Sequence, residues 1–241
     1  MSVANGREIG QDGSVRFVLI RHGQSINNLL WAETGDSIGR HHDPVLTPLG
    51  HQQAHLLGEV LADGVLPWRI TQLHSSLMTR AVQTAAPLAD ALDLPLIGHP
   101  EAYETGGLFM EEAAGVRIPH PGATATELRL LSGRLMLPNS AGDDGWFPGP
   151  YEDGEELIMD RAQRVIADLR ARHSDDDVVA LVMHGAFFQF LFRALLGIDT
   201  MSGWNTKHNT ALTLIGETAG GITIAERIDW TPHLSEELLT L

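Results

Sequence analysis

Residues 15–28 read VRFVLIRHGQSINN: six residues suited to the middle of a sheet, followed without a spacer by an arginine, a histidine and a glycine. Arginine and histidine cost free energy to bury unless they are partnered. A strand that ends in both therefore points to a site at its carboxyl end. Residues 178–185, VVALVMHG, repeat the pattern, so two strands each deliver a histidine followed by a glycine. In open α/β sheets, ligands bind beyond the carboxyl ends of the strands, where loops converge.

Outward from these strands, the chain alternates short apolar runs with helical patterns. Ser25 is a candidate N-cap for a helix over SINNLLWAE, and residues 47–63 begin a second helix with Thr47 at N-cap and Pro48 at N1. Residues 69–74 read as a strand, and 77–92 as a helix in which Pro87 predicts a kink or early stop. A helix over 154–172, a strand over 178–183 and a helix over 186–196 follow. The final stretch, TALTLIGETAGGITIAERIDW, predicts two strands around a glycine-rich turn, an antiparallel hairpin at the sheet edge. This alternation predicts an α/β fold with a parallel sheet. Residues 105–150 break it with glycine and proline clusters, as expected of a loop-rich lid inserted into a single domain over 1–241.

The bulk composition excludes several classes. Hydrophobic residues make up 43% and charged residues 20% of the 241, an ordinary globular balance. No apolar run is long enough to span a membrane, and residues 1–14 lack the apolar core of a signal peptide, so a cytoplasmic location is expected. Cysteine is absent, which excludes disulfides and thiolate chemistry. A formal net charge of −15 with Lys207 as the only lysine argues against nucleic acid as a partner. The positive charge is nearly all arginine, whose planar fork grips phosphate or carboxylate in a bidentate manner.

A third strand ending at Leu73 and His74 leads into SSLMTRAVQTA, which places Ser75, Ser76 and Arg80 at a helix start suited to an anion. Arg21, Arg80 and the two histidines together predict a positive pocket that would hold one phosphate.

On these residues the chain resembles the histidine phosphatase superfamily, or phosphoglycerate mutase-like family. LIRHGQSINN is similar to its first block, DPVLTPLGHQQA to its second, SSLMTRAVQTA to its third and VMHGAF to its fourth, in order from about residue 15 to 215. The resemblance implies a three-layer α/β/α sandwich with a mostly parallel central sheet and a lid insertion. It implies that His22 is a nucleophile phosphorylated in transit, and that Arg21, Arg80 and His184 bind the phosphate. Gly23, Gln24, Ser25 and Asn28 would contact the substrate. The family also uses a carboxylic acid from the segment after the Arg80 helix, where HPEAYETGGLF offers Glu101 and Glu104. Glu104 is preferred for its Glu-x-Gly-Gly setting.

Chemistry agrees with these roles. Imidazole attacks phosphorus only when the attacking nitrogen carries a lone pair, so the other nitrogen should donate to a fixed acceptor, for which the Gly23 carbonyl is placed. The arginines and a cationic His184 would meet the charge of the transferring group. No metal or other cofactor is needed by such a site.

The expected activity is hydrolysis of a small phosphorylated substrate. The runner-up is a mutase that returns the phosphoryl group to its substrate, and a third reading is an inactive relative that binds phosphorylated ligands or a protein partner. A homodimer is expected on general grounds only. Leu108, Phe109, Met110, Trp146 and Phe147 could cover a substrate with Arg117, Arg129 and Arg134, but for the apolar set packing is the preferred reading. His41 and His42 are expected to point apart and to bind no metal. HSDDD at 173–177 reads as a solvated helix end, GETAGG as a turn, and Asn209 and Thr210 as support residues.

Overall fold

The structure, a computed structural model, describes residues 15–111, 116–217 and 222–241. Its centre is a seven-stranded sheet built from β1 (Arg16–Arg21), β2 (Gln72–Ser76), β3 (Leu96–His99), β6 (Leu135–Met136), β7 (Val178–Met183), β8 (Leu212–Glu217) and β9 (Thr223–Trp230). The order across the sheet is β6-β3-β2-β7-β1-β8-β9. Strands β6, β3, β2, β7 and β1 are mutually parallel, whereas β8 and β9 run antiparallel. The glycine-rich turn expected between β8 and β9 lies outside the described residues.

Side-chain alternation along the strands divides the core in two. Val18, Ile20, Ala180 and Val182 face α2 (Pro48–Ala62) and α3 (Thr79–Leu92), where they meet Leu57, Ala81 and Leu88. Phe17, Leu19, Val179 and Leu181 face α5 (Glu155–Arg172) and α6 (Gly185–Leu196), where they meet Val165, Leu169, Phe187 and Leu191. The three-layer α/β/α architecture follows from that period-two pattern, because a sheet buried on both faces needs apolar residues at every position. α1 (Ile26–Thr34) lies outside these layers and buries none of its residues.

The structure departs from the sequence reading at several places. β2 extends to Ser76 instead of ending at His74, because β3 pairs with it as far as Ser76↔His99. Ser75 and Ser76 are therefore strand residues, and α3 begins at Thr79. Pro87 neither ends nor delimits α3, which continues to Leu92. Buried Ala85, Leu88 and Ala89 flank it on the face packed against the sheet, and that packing offsets the backbone bond a proline removes.

The 105–150 stretch holds a hairpin of β4 (Phe109–Glu111) and β5 (Arg117–Pro119), then α4 (Ala125–Leu131), then β6, which returns to the central sheet. Leu108, Trp146 and Phe147 are buried in the same cluster as Val18 and Val182. Met110 is exposed, Arg129 is exposed, and Arg134 pairs with Asp90 and Asp93 at the end of α3. In HSDDD, Asp175 and Asp176 face solvent as expected, but His173 contacts His74 and Asp177 accepts from Thr71 Oγ1 at 2.7 Å. No helix among the described residues is long and apolar enough to cross a membrane.

Candidate active site

His22 follows the last residue of β1 and is almost fully buried. Its Nδ1 lies 2.7 Å from the Gly23 carbonyl oxygen. A carbonyl only accepts, so Nδ1 carries the proton and Nε2 keeps its lone pair. Nε2 accepts from Nε of Arg80 at 3.1 Å. Burial, then the charges of Arg80 and Arg21, hold the His22 imidazole well below its ordinary pKa, against a smaller opposing effect of the Gly23 bond. The ring is neutral with a fixed tautomer.

His184 is the N-cap residue of α6, and its ring centroid is 5.2 Å from that of His22. Its Nε2 is 2.9 Å from Ser76 Oγ. Burial, followed by the charge of Arg80, pushes its pKa well below the ordinary value. Burial and the charges of Arg80, Arg161 and Arg21 thus work against the cationic His184 expected from the sequence.

Arg21 and Arg80 supply the positive charge. Arg80 rises from the first turn of α3, and burial lowers its pKa while Asp43 and Glu104 favour its charge. Arg21, pushed by burial to about 10, donates from its guanidinium to the Lys207 carbonyl. Glu104 opposes that shift, so its carboxylate belongs to the same cluster.

Glu104 is held at the amino end of α6. Its Oε1 accepts from the backbone N–H of Phe187 at 2.8 Å and of Thr105 at 2.9 Å, and its Oε2 accepts from that of Ala186 at 3.2 Å. Glu101 faces elsewhere, pairing with Arg164 at 2.9 Å on a partly exposed surface. Of the two candidates, Glu104 is bound to the start of the helix that His184 caps and acts on Arg21 and Arg80, whereas Glu101 is not seen to do either.

The expected substrate contacts divide. Gly23 lies between α2 and α3: its backbone N–H donates to Thr84 Oγ1 of α3 at 2.9 Å, and a Cβ would come within 2.6 Å of the Gly50 carbonyl oxygen of α2. Gln24 accepts from Thr47 Oγ1 at 2.7 Å, and its backbone N–H donates to Gln53 Oε1 at 2.9 Å. Ser25 caps α1, with its Oγ donating to Asn28 Oδ1 at 2.9 Å. Gln24 and Ser25 thus make scaffold contacts, and Asn28 is half-buried with its oxygen committed to Ser25.

Other residues position these groups, and one of them, Asp43, has no strong sequence signal. Ser76 holds His184. Asp43 accepts from the backbone N–H of Thr79 at 3.0 Å and from its hydroxyl at 2.7 Å, which caps an α3 whose N-cap residue, Met78, has no side-chain acceptor. Asn209 Nδ2 donates to the His22 carbonyl at 2.9 Å, while the Thr210 backbone N–H donates to the Arg21 carbonyl at 3.1 Å. His41 and His42 do not point apart: their rings stack at 4.1 Å, and His120 stacks on His42 at 3.4 Å. Nδ1 of His41 accepts from the Asp43 N–H and Nδ1 of His120 from the Gly122 N–H, which leaves protonated Nε2 atoms unsuited to a metal. Among the described residues no group of three or more His, Asp or Glu could hold a metal ion.

The fold is shared with several solved structures. A mutant phosphoserine phosphatase from Entamoeba histolytica in complex with phosphoserine superposes with a TM-score of 0.60 at 20% identity, over 92% of this chain and 100% of that one. Bacillus stearothermophilus YhfR gives 0.61 at 20% identity, over 92% and 100% of the two chains. A mycobacterial glucosyl-3-phosphoglycerate phosphatase in complex with VO3 gives 0.59 at 21%, over 89% and 99%. No curated protein sequence matches the chain. The model of the histidine phosphatase superfamily (branch 1) matches residues 17–229, and the chain belongs to that family.

Proposed function

We propose that the protein is a phosphatase that hydrolyses a phosphomonoester through a phosphohistidine on His22, without a metal ion. The observation that carries this reading is the bond from His22 Nδ1 to the Gly23 carbonyl at 2.7 Å, which leaves Nε2 as a neutral lone pair beside Arg80. The solved phosphatases with this fold support the same reaction class.

In the first step His22 Nε2 attacks phosphorus and the bond from phosphorus to the ester oxygen breaks. The Glu104 carboxyl gives its proton to that oxygen, so the leaving group departs as an alcohol. Arg21 and Arg80 meet the charge on the three equatorial oxygens, and His184 lies beside them as a hydrogen-bonding partner. In the second step the Glu104 carboxylate takes a proton from water, whose oxygen attacks phosphorus. The N–P bond breaks, and its electron pair returns to Nε2 as phosphate leaves.

The test is turnover of p-nitrophenyl phosphate in EDTA by wild type and His22→Ala, with rapid quenching to trap an acid-labile phosphoprotein. Turnover that survives the chelator, a trapped intermediate in wild type and loss of both in His22→Ala are expected. Equal turnover by folded His22→Ala would remove the proposal.

A further inference from the structure

We propose that Arg40 and Arg117 form, beside the His22 site, a subsite for a second anionic group, so that the preferred substrates are phosphomonoesters that also carry a carboxylate or a second phosphate. The inference rests on the phosphatase reading of the pocket.

Arg40 lies in the loop between α1 and α2, and Arg117 begins β5 of the inserted hairpin. Two aromatic rings bring them together. The Arg40 guanidinium sits 4.3 Å over the Phe109 ring, and that of Arg117 lies 4.4 Å from the Tyr151 ring centroid and 5.7 Å from that of Phe109. Phe109 and Tyr151 meet edge to face at 4.8 Å, which fixes the platform. A guanidinium stacked on a ring keeps its in-plane N–H groups free to donate sideways.

Neither guanidinium has a carboxylate within ion-pair distance among the described residues, although the chain carries a net charge of −15. Nε of Arg40 is buried and has no hydrogen-bond partner. The two cations repel each other, and the charge of Arg40 also acts on Arg80. Glu111 and Glu104 attract Arg40 but do not contact it. Two like charges held together with their donors unused form an anion site whose counter-ion comes from elsewhere. Because Arg40 is electrostatically coupled to both Glu104 and Arg80, that anion would belong to the molecule whose phosphate reaches His22.

The test compares three esters that share a propyl chain: propyl phosphate, 3-phosphooxypropanoate and propane-1,3-diyl bisphosphate. Each is measured at low ionic strength with wild type, Arg40→Gln and Arg117→Gln. The readout is the ratio of kcat/KM for the carboxylated ester, and for the bisphosphate, to that for propyl phosphate. In wild type this ratio should exceed about tenfold for at least one of the two, which identifies the group recognised, and it should fall several-fold in either variant. A ratio near one in wild type, or one unchanged in both variants, would overturn the proposal. Arg117 is exposed, so its variant should fold even if Arg40→Gln does not. Failure of wild type to hydrolyse any of the three esters would count against the phosphatase reading instead. The same ratio, taken from dissociation constants by calorimetry, would then decide the subsite on its own.

Discussion

The Glu104 carboxylate is bound to the backbone N–H of Phe187 at 2.8 Å, three residues beyond His184. This contact ties the segment after β3 to the amino end of α6, where the helix dipole favours negative charge. It also joins the proposed proton donor to the helix that carries the second histidine. A Glu104→Gln substitution would turn one acceptor into an amide NH2 facing a backbone donor, a clash of like groups that should cost about 1–3 kcal/mol. It would also remove the transferable proton. Activity should fall about 10²–10⁴-fold on alkyl phosphates, whose leaving oxygen needs that proton, and much less on p-nitrophenyl phosphate. The quantity to compare across a leaving-group series is kcat/KM, which does not contain the later water attack that Glu104 also serves, and an equal loss of kcat/KM on both kinds of ester would reject the proton-donor role.

Gly50 is a sharper structural test. A Cβ there would lie 2.1 Å from the Gln24 carbonyl oxygen, and both partners are backbone atoms fixed at the entry to α2. Neither can rotate away. Gly50→Ala should therefore destabilise the protein by about 3 kcal/mol or more, read as a lower urea midpoint. A change below about 1 kcal/mol would mean that this junction is not packed as described.

Much of the frame could be read from sequence because it rests on local pattern. The β1 and β7 runs, the Thr47–Pro48 helix entry and the four motif blocks each carry a periodicity or a cap that needs no tertiary information. What escaped was set by contacts distant in sequence. β2 runs on to Ser76 because β3 pairs with it, and Ser76 becomes a partner of His184 across 108 residues. His41 and His42 stack because His120, from the insertion, lies on top of them. The downward shift of the His184 pKa comes first from burial, which the motif blocks do not encode, and then from Arg80, Arg161 and Arg21, of which Arg161 lies outside those blocks. For the proposed acid the sequence offers two glutamates and favours Glu104; Glu101 pairs with Arg164, a contact between residues 63 apart that no local pattern predicts.

Asn209, read from sequence as a support residue, acts on the backbone of His22 itself. Its Nδ2 donates to the His22 carbonyl at 2.9 Å, while its Oδ1 accepts from Thr240 Oγ1 at 2.9 Å. Buried completely, it links the chain terminus to the backbone of the proposed nucleophile. Asn209→Ala should lower kcat by about 10²-fold through misplacement of the imidazole, with a smaller effect on KM. A variant that unfolds less readily than wild type, or keeps full kcat, would remove Asn209 from the positioning of His22.

His74 makes stability depend on pH. Its side chain is fully buried, with Nε2 2.8 Å from Nε2 of His173, and His99, Asp168 and Arg172 complete its surroundings. Burial, then His173 and His99, lower its pKa from 6.5 to about 3. Between those values the unfolded chain binds a proton that the folded one refuses, so stability is full above about pH 6.5 and declines as the pH falls toward 3. At pH 5 the unfolded histidine is favoured by a gap of about 1.5 pH units, or on the order of 2 kcal/mol. His74→Gln keeps a hydrogen-bonding partner for His173 and cannot titrate. Urea unfolding at pH 7.5 and pH 5 should show the variant losing about 2 kcal/mol less than wild type between the two conditions. The buried histidines that exert no charge effect on His74, namely His22, His184 and His233, lower the stability of both proteins alike and cancel in the comparison. Equal losses would mean that His74 takes up no proton on unfolding, contrary to its neutral burial beside His173.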